Sequence, residues 1–129
     1  MQVLRAIGLM SGTSMDGIDV ALIETDGHRV TRFGAWATYP YDPAFRERLR
    51  AVMGGVGAVA DVERELTERH AAAVKALLAE HAIDPASIDL VGFHGQTVLH
   101  RPEQQRTWQI GDGALLAAEL GLPVVNDFR

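Results

Sequence analysis

Two apolar segments of strand length, Val3–Met10 (VLRAIGLM) and Ile18–Glu24 (IDVALIE), are separated only by Ser11-Gly12-Thr13-Ser14-Met15-Asp16-Gly17. That spacer is too polar and too rich in glycine to continue a strand or to begin a helix, so it reads as a loop joining two antiparallel neighbours. Asp26-Gly27 predicts a type I′ hairpin turn, whose two central positions both need positive φ. A third strand then follows over Val30–Tyr39. Three consecutive antiparallel strands make a meander, and a meander commits the start of the chain to one side of a sheet.

After Tyr39 the hydrophobic period changes. Asp42 reads as an N-cap, with Pro43 at the first helical position and Phe45, Leu49 and Val52 along one apolar stripe. Gly54, Gly55 and Gly57 end that helix. Asp61 is predicted to cap the next one, which places Val62, Leu66, Ala73, Val74, Leu77 and Leu78 on a single face. Asp61, Glu63 and Glu65 suit the positive end of the helix dipole and read as a solvated face. His70 and His81 read as surface or partly buried residues of the same helix. Pro85 closes the region. Ile88–Phe93 (IDLVGF) is predicted as a buried strand leading into a loop at His94-Gly95-Gln96-Thr97. Thr107–Ile110 is a short strand that stops at Gly111-Asp112-Gly113. A helix over Ala114–Leu120 ends on Gly121, with Pro123 beyond, and Val124-Val125 begins another strand. Trp36 and Trp108 read as core residues rather than sugar platforms.

This order predicts an α/β fold, a mixed sheet with flanking helices as in ribonuclease-H-like folds. No repeat or linker divides residues 1–129, so one domain is expected. A last strand with nothing after it would have few partners, which predicts a truncated chain with more of the fold to follow.

Several classes are excluded by composition and spacing. The net charge is -5, against a basic nucleic-acid surface. With 0 cysteines there is no disulfide framework and no thiol nucleophile. Apolar runs such as Ala114–Ala118 are too short for a bilayer, and the N-terminus lacks the pattern of a signal peptide, so a cytoplasmic protein is expected. No Gly-Lys-Ser/Thr follows the first loop, so it is not a Walker A loop, and no Gly-x-Ser-x-Gly elbow occurs.

What remains is a small set of residues with chemistry to offer. Gly12 to Gly17 has the makings of a phosphate grip: glycines let backbone N–H groups turn inward, and Thr13 and Ser14 add hydroxyls. Asp16 and Asp19 are hard oxygen donors suited to Mg²⁺, directly or through water. The other reading is a plain polar turn. His94, Gln96 and Thr97 suit sugar hydroxyls and amides, or serve as ordinary polar caps at a strand end. Asp112 is an N-cap, or a carboxylate that meets a ligand beside helix N–H groups. His94 and His100 are too loosely spaced for a metal site.

The block Gly8-Leu9-Met10-Ser11-Gly12-Thr13-Ser14-Met15-Asp16-Gly17-Ile18-Asp19 resembles the N-terminal signature of anhydro-N-acetylmuramic acid kinases. The resemblance continues in the same order at Gly92-Phe93-His94-Gly95-Gln96-Thr97, at Gln109-Ile110-Gly111-Asp112-Gly113 and at Asn126-Asp127-Phe128-Arg129. It implies an actin-like fold of the sugar kinase–Hsp70 type, with two lobes around a nucleotide cleft. It also implies a reaction in peptidoglycan recycling, in which 1,6-anhydro-N-acetylmuramic acid, ATP and water give N-acetylmuramic acid 6-phosphate and ADP. Carried over, Gly12, Thr13, Ser14, Met15, Asp16, Gly17, Ile18 and Asp19 form the ATP phosphate loop, with Asp16 and Asp19 beside Mg²⁺. His94, Gln96, Thr97, Asp112 and Arg129 face the sugar. The water-activating aspartate is expected in a segment beyond Arg129. Two other readings stay open, a non-catalytic nucleotide- or sugar-binding remnant and a kinase for a related small sugar. A homodimer is also left open.

Overall fold

The computed structural model describes residues 2–129. Strand β1 (Leu4–Ser11) pairs antiparallel with β2 (Gly17–Thr25), and β2 pairs antiparallel with β3 (Val30–Pro40). The meander therefore forms as the sequence dictates. The β2–β3 turn differs from the expected type I′: it spans four positions, 26–29, and only Gly27 has positive φ (92°). Asp26 closes it instead, its Oδ1 accepting from the N–H groups of His28 (2.9 Å) and Arg29 (3.0 Å).

Helix α1 (Pro43–Ala51) begins as predicted, with the Asp42 carboxylate accepting from Phe45 N–H at 2.8 Å. Helix α2 (Val59–Glu80) does not begin on Asp61. Its N-cap is Ala58, with no side-chain hydrogen bond, and Asp61 lies inside the first turn. Strand β4 (Leu90–Arg101) then enters beside β1 in parallel, followed by β5 (Arg106–Ile110), α3 (Gly113–Leu120) and β6 (Val124–Asn126). Beta-4 is flanked by β1, by parallel β6 at its start and by antiparallel β5 at its far end. The resulting path β3-β2-β1-β4, extended by β6, is the ribonuclease-H-like order.

Alternation along the strands decides the two faces. Ile7, Leu9, Ile18, Val20, Leu22, Val91 and Phe93 point to one side, where they form a single core with Phe45, Leu49, Leu66, Val74, Leu77 and Leu116 from the three helices. The opposite side carries no helix among the described residues. Register places Trp36, Ala21, Gly8, Gly92 and Val125 in one row across it, with Phe33 and Met10 nearby. Trp36 is 74% exposed and Phe33 80%, so Trp36 is not the core residue the sequence suggests.

Three helix residues also depart from expectation. Glu65 is no idle surface charge: it takes a paired hydrogen bond from Arg48 (2.5 and 2.7 Å) and another from Arg69 (3.0 Å), tying α2 to α1. Glu63 is used as well, as described below. His70 is fully buried, its Nδ1 2.7 Å from the Leu66 carbonyl and its ring 4.8 Å from that of Phe93. Burial lowers its pKa to about 4, so the folded state holds it neutral while the unfolded chain protonates near 6.5. The unfolded state thus binds more protons between those values, and stability is lost as pH falls from 6.5 towards 4, by roughly 3 kcal/mol from this group. Melting curves across that window should show the loss, and His70→Gln should flatten it. At still lower pH, from about 4.5 downward, further stability is lost through Asp26, Asp42 and Glu65, whose pKa values are lowered by hydrogen bonds, first from Arg29 N–H, Phe45 N–H and Arg48 respectively.

Candidate functional site

The loop between β1 and β2 stands open at the end of the sheet. Thr13 and Ser14 are exposed, and no atom lies within 4 Å of where a Cβ on Gly12 would stand. Met15 takes a left-handed conformation (φ 57°) and donates to the Gly12 carbonyl at 3.1 Å. The Thr13 and Ser14 hydroxyls are thus left facing solvent at the loop's tip.

Its two feet are held from outside. The carbonyl of Asp16 accepts from Tyr41 N–H at 2.8 Å, and Arg46 of α1 reaches both the Met15 carbonyl (3.1 Å) and Asp16 Oδ1 (3.0 Å). Asp19 Oδ1 accepts from Thr38 at 2.7 Å. Asp16 and Asp19 each keep their second carboxylate oxygen clear of these contacts, which fits water-mediated attachment of Mg²⁺. No cluster of three or more potential metal ligands occurs among the described residues. Ile18 is 2% exposed and lies in the core, so this position can meet a nucleotide only through its backbone. Gly17 is confined: a Cβ there would stand 2.7 Å from Pro40 Cα and closer still to the Tyr39 carbonyl oxygen.

The second block does not form a loop after a strand. His94-Gly95-Gln96-Thr97 lies inside β4, at a bulge where Gly95 takes φ 75°. The bulge turns His94 to one side and Gln96 to the other. His94 lines a cavity of about 320 Å³ with Gly95, Trp108, Gln109, Asn126 and Asp127. Gln109 braces this wall, donating to the His94 carbonyl at 3.3 Å and accepting from the Thr97 hydroxyl. Trp108 is half-buried against the glycine turn after α1, where a Cβ on Gly55 would run into its ring.

The Gly111-Asp112-Gly113 turn is fixed by α2. Glu63 accepts from Gly111 N–H at 2.9 Å, and Thr67 accepts from Asp112 N–H at 3.0 Å, one helical turn apart. Asp112 caps α3 by accepting from Leu115 N–H at 3.0 Å. Gly113 leaves room for Asn126, whose side chain would lie 2.5 Å from a Cβ there.

The structure therefore gathers part of the predicted sugar-side set. His94 lines the cavity, Thr97 reaches it through Gln109, and Asp112 sits next to the lining residue Gly111. Arg129 is exposed at the end of the chain and does not line it. Gln96 departs furthest, being fully buried and bonded to the Gly12 carbonyl of the β1–β2 loop. Among the other lining residues, Trp108, Gln109, Asn126 and Asp127 add side chains that the sequence does not mark as sugar contacts. For Gln109 the available signal was its place directly before Ile110-Gly111-Asp112-Gly113.

The described residues thus combine a ribonuclease-H-like mixed sheet, an open glycine–hydroxyl loop at its first hairpin and a polar cavity beside its parallel strand β4. The profile of the anhydro-N-acetylmuramic acid kinase family matches residues 4–129, and the chain belongs to that family. The anhydro-N-acetylmuramic acid kinase of Paramagnetospirillum magneticum is 59% identical over 126 residues, covering 98% of this chain and 36% of the relative. Those of Rhodospirillum rubrum and Agrobacterium fabrum are 56% and 51% identical, covering 96% and 99% of this chain and 34% and 37% of the relatives. The chain thus spans about a third of the length of the curated relatives it matches. Among solved structures, YeaZ from Pseudomonas aeruginosa aligns over 98% of this chain and 42% of its own at 20% identity and a TM-score of 0.38, too loose a likeness to bear on function.

Proposed function

We propose that residues 1–129 form part of the N-terminal lobe of a two-lobe kinase that converts 1,6-anhydro-N-acetylmuramic acid, ATP and water to N-acetylmuramic acid 6-phosphate and ADP. In that reaction water adds at C1 as the bond from C1 to O6 breaks, and O6 receives the γ-phosphoryl group. The observation that carries the reading is the loop from Gly12 to Asp16, open above and clamped below, in a chain of this family. Backbone N–H groups and the Thr13 and Ser14 hydroxyls grip the ATP phosphates. Asp16 and Asp19 would hold Mg²⁺ through water, which would bring positive charge against the phosphates. His94, Gln109, Asn126 and Asp127 offer donors and acceptors to the sugar, with the Trp108 indole as an apolar wall.

Phosphoryl transfer rests on positioning and charge stabilisation, and this lobe supplies one side of both. The test is a full-length kinase bearing this segment, incubated with Mg-ATP and the anhydro sugar. Sugar 6-phosphate and ADP should appear in equal amounts, and their absence would reject the reading. Gly12→Ala should leave the melting temperature unchanged, since nothing in the protein meets the new methyl group. It should raise the KM for ATP by about tenfold if phosphate approaches the backbone there.

A further inference from the structure

The loop's inner foot rests on a buried chain of hydrogen bonds that the sequence does not announce. Tyr41 Oη lies 2.8 Å from Ser11 Oγ, and Ser11 donates to Gln96 Oε1 at 2.5 Å. With its one proton spent on Gln96, Ser11 accepts from Tyr41. The other end of the Gln96 amide donates to the Gly12 carbonyl at 3.2 Å and to Thr97 O at 3.3 Å. Ser11, Tyr41 and Gln96 are respectively 1%, 5% and 0% exposed, so no water substitutes for a lost partner. The same Tyr41 holds the loop's outer foot through its backbone N–H.

We infer that Gln96 is a positioning residue for the phosphate loop rather than a sugar contact. It fixes the Gly12 carbonyl, and so the direction in which the following N–H groups point. The bulge at Gly95 makes this division possible. It lets one strand send His94 to the sugar cavity and Gln96 into the floor of the nucleotide site. The inference rests on the proposed ATP-dependent function, but it concerns ATP affinity alone and can be read without turnover.

The decisive variant is Gln96→Glu, which keeps the shape and the acceptor for Ser11. As a carboxylate it cannot donate to the Gly12 carbonyl; as a protonated acid it can. Burial raises the pKa of such a carboxyl, bringing its protonation within reach of ordinary buffers. Among the neighbouring groups, burial pushes the Tyr41 phenol up to about 12, and Asp16 and Arg46 are paired with each other.

Calorimetry on the full-length protein bearing this segment, with Mg-ATP and separately with the anhydro sugar, gives the readout. Gln96→Glu should weaken ATP binding by about tenfold at pH 8 and recover affinity towards pH 6, while wild type stays flat. Sugar affinity should stay within about twofold. Should the glutamate variant fail to fold, Ser11→Ala removes the donor that orients the amide and should weaken ATP binding several-fold, again sparing the sugar. Weakened sugar binding with ATP affinity intact would overturn the inference, as would unchanged ATP affinity in both variants. A wild-type protein that binds no ATP overturns this inference and the proposed function together. One that binds ATP without phosphorylating the sugar sinks only the latter, and the Gln96 result still stands.

Discussion

Gly17→Ala should cost the protein about 3 kcal/mol of stability, a drop in melting temperature of roughly 10 °C for a chain of this size. A methyl group at Gly17 would collide with the backbone of Tyr39 and Pro40, standing 2.7 Å from Pro40 Cα. Neither neighbour is the flexible end of a side chain, so relief requires the strands to part. Gly17 is paired with Pro40 at the last rung of the β2–β3 ladder, at the foot of the β1–β2 loop. The damage should therefore be local as well as global, with amides of residues 15–19 losing protection in hydrogen exchange before the rest of the sheet. An unchanged melting temperature would show that the rung opens freely and that the loop does not depend on it.

The second large effect belongs to Gly95→Ala, and it should appear in catalysis. Gly95 sits at φ 75°, which an alanine adopts only under strain, and its Cβ would press into the Ile110 carbonyl. Relief on that side shifts Ile110 and Gly111, and with them the cavity wall and the entry to α3. Relief on the other side shifts His94 and Gln96, one on each binding surface. A displacement of about 1 Å in groups that orient reactants costs on the order of a hundredfold, so kcat/KM in a full-length kinase should fall by about that factor. Both substrates should show raised KM values, which separates this variant from Gln96→Glu. Wild-type kinetics from Gly95→Ala would mean that the bulge is incidental to the site.

The parts of the molecule legible in its sequence are those governed by local rules. The meander follows from strand-length apolar runs and a loop that cannot be anything else. Helices α1 and α3 follow from Asp42-Pro43 and from Asp112 with Gly121, each a cap whose chemistry is contained within one turn. The four family blocks fall on the strands β1, β2, β4, β5 and β6 and the turns that follow them. Misreadings fall where a partner distant in sequence decides. Glu63 and Glu65 look like solvated charges until Gly111 and the α1 arginines are brought against them. His70 looks amphipathic on a helix but meets Phe93 across the core. Gln96 has the composition of a sugar ligand, and only the bulge at Gly95 directs it inward. The β2–β3 turn differs from type I′ for a smaller reason: Asp26 can cap a wider loop as readily as it can enter a tight one.

The row of Ala21, Gly8 and Gly92 across the helix-free side of the sheet has a consequence for handling the protein. With Trp36 at one margin and Val125 at the other, it forms a broad oily plane with little relief. Water gains nothing by wetting such a plane, and two of them brought together shed that water at once. Residues 1–129 on their own are therefore expected to associate through this plane as concentration rises, and more readily in salts that strengthen apolar burial, as light scattering would register.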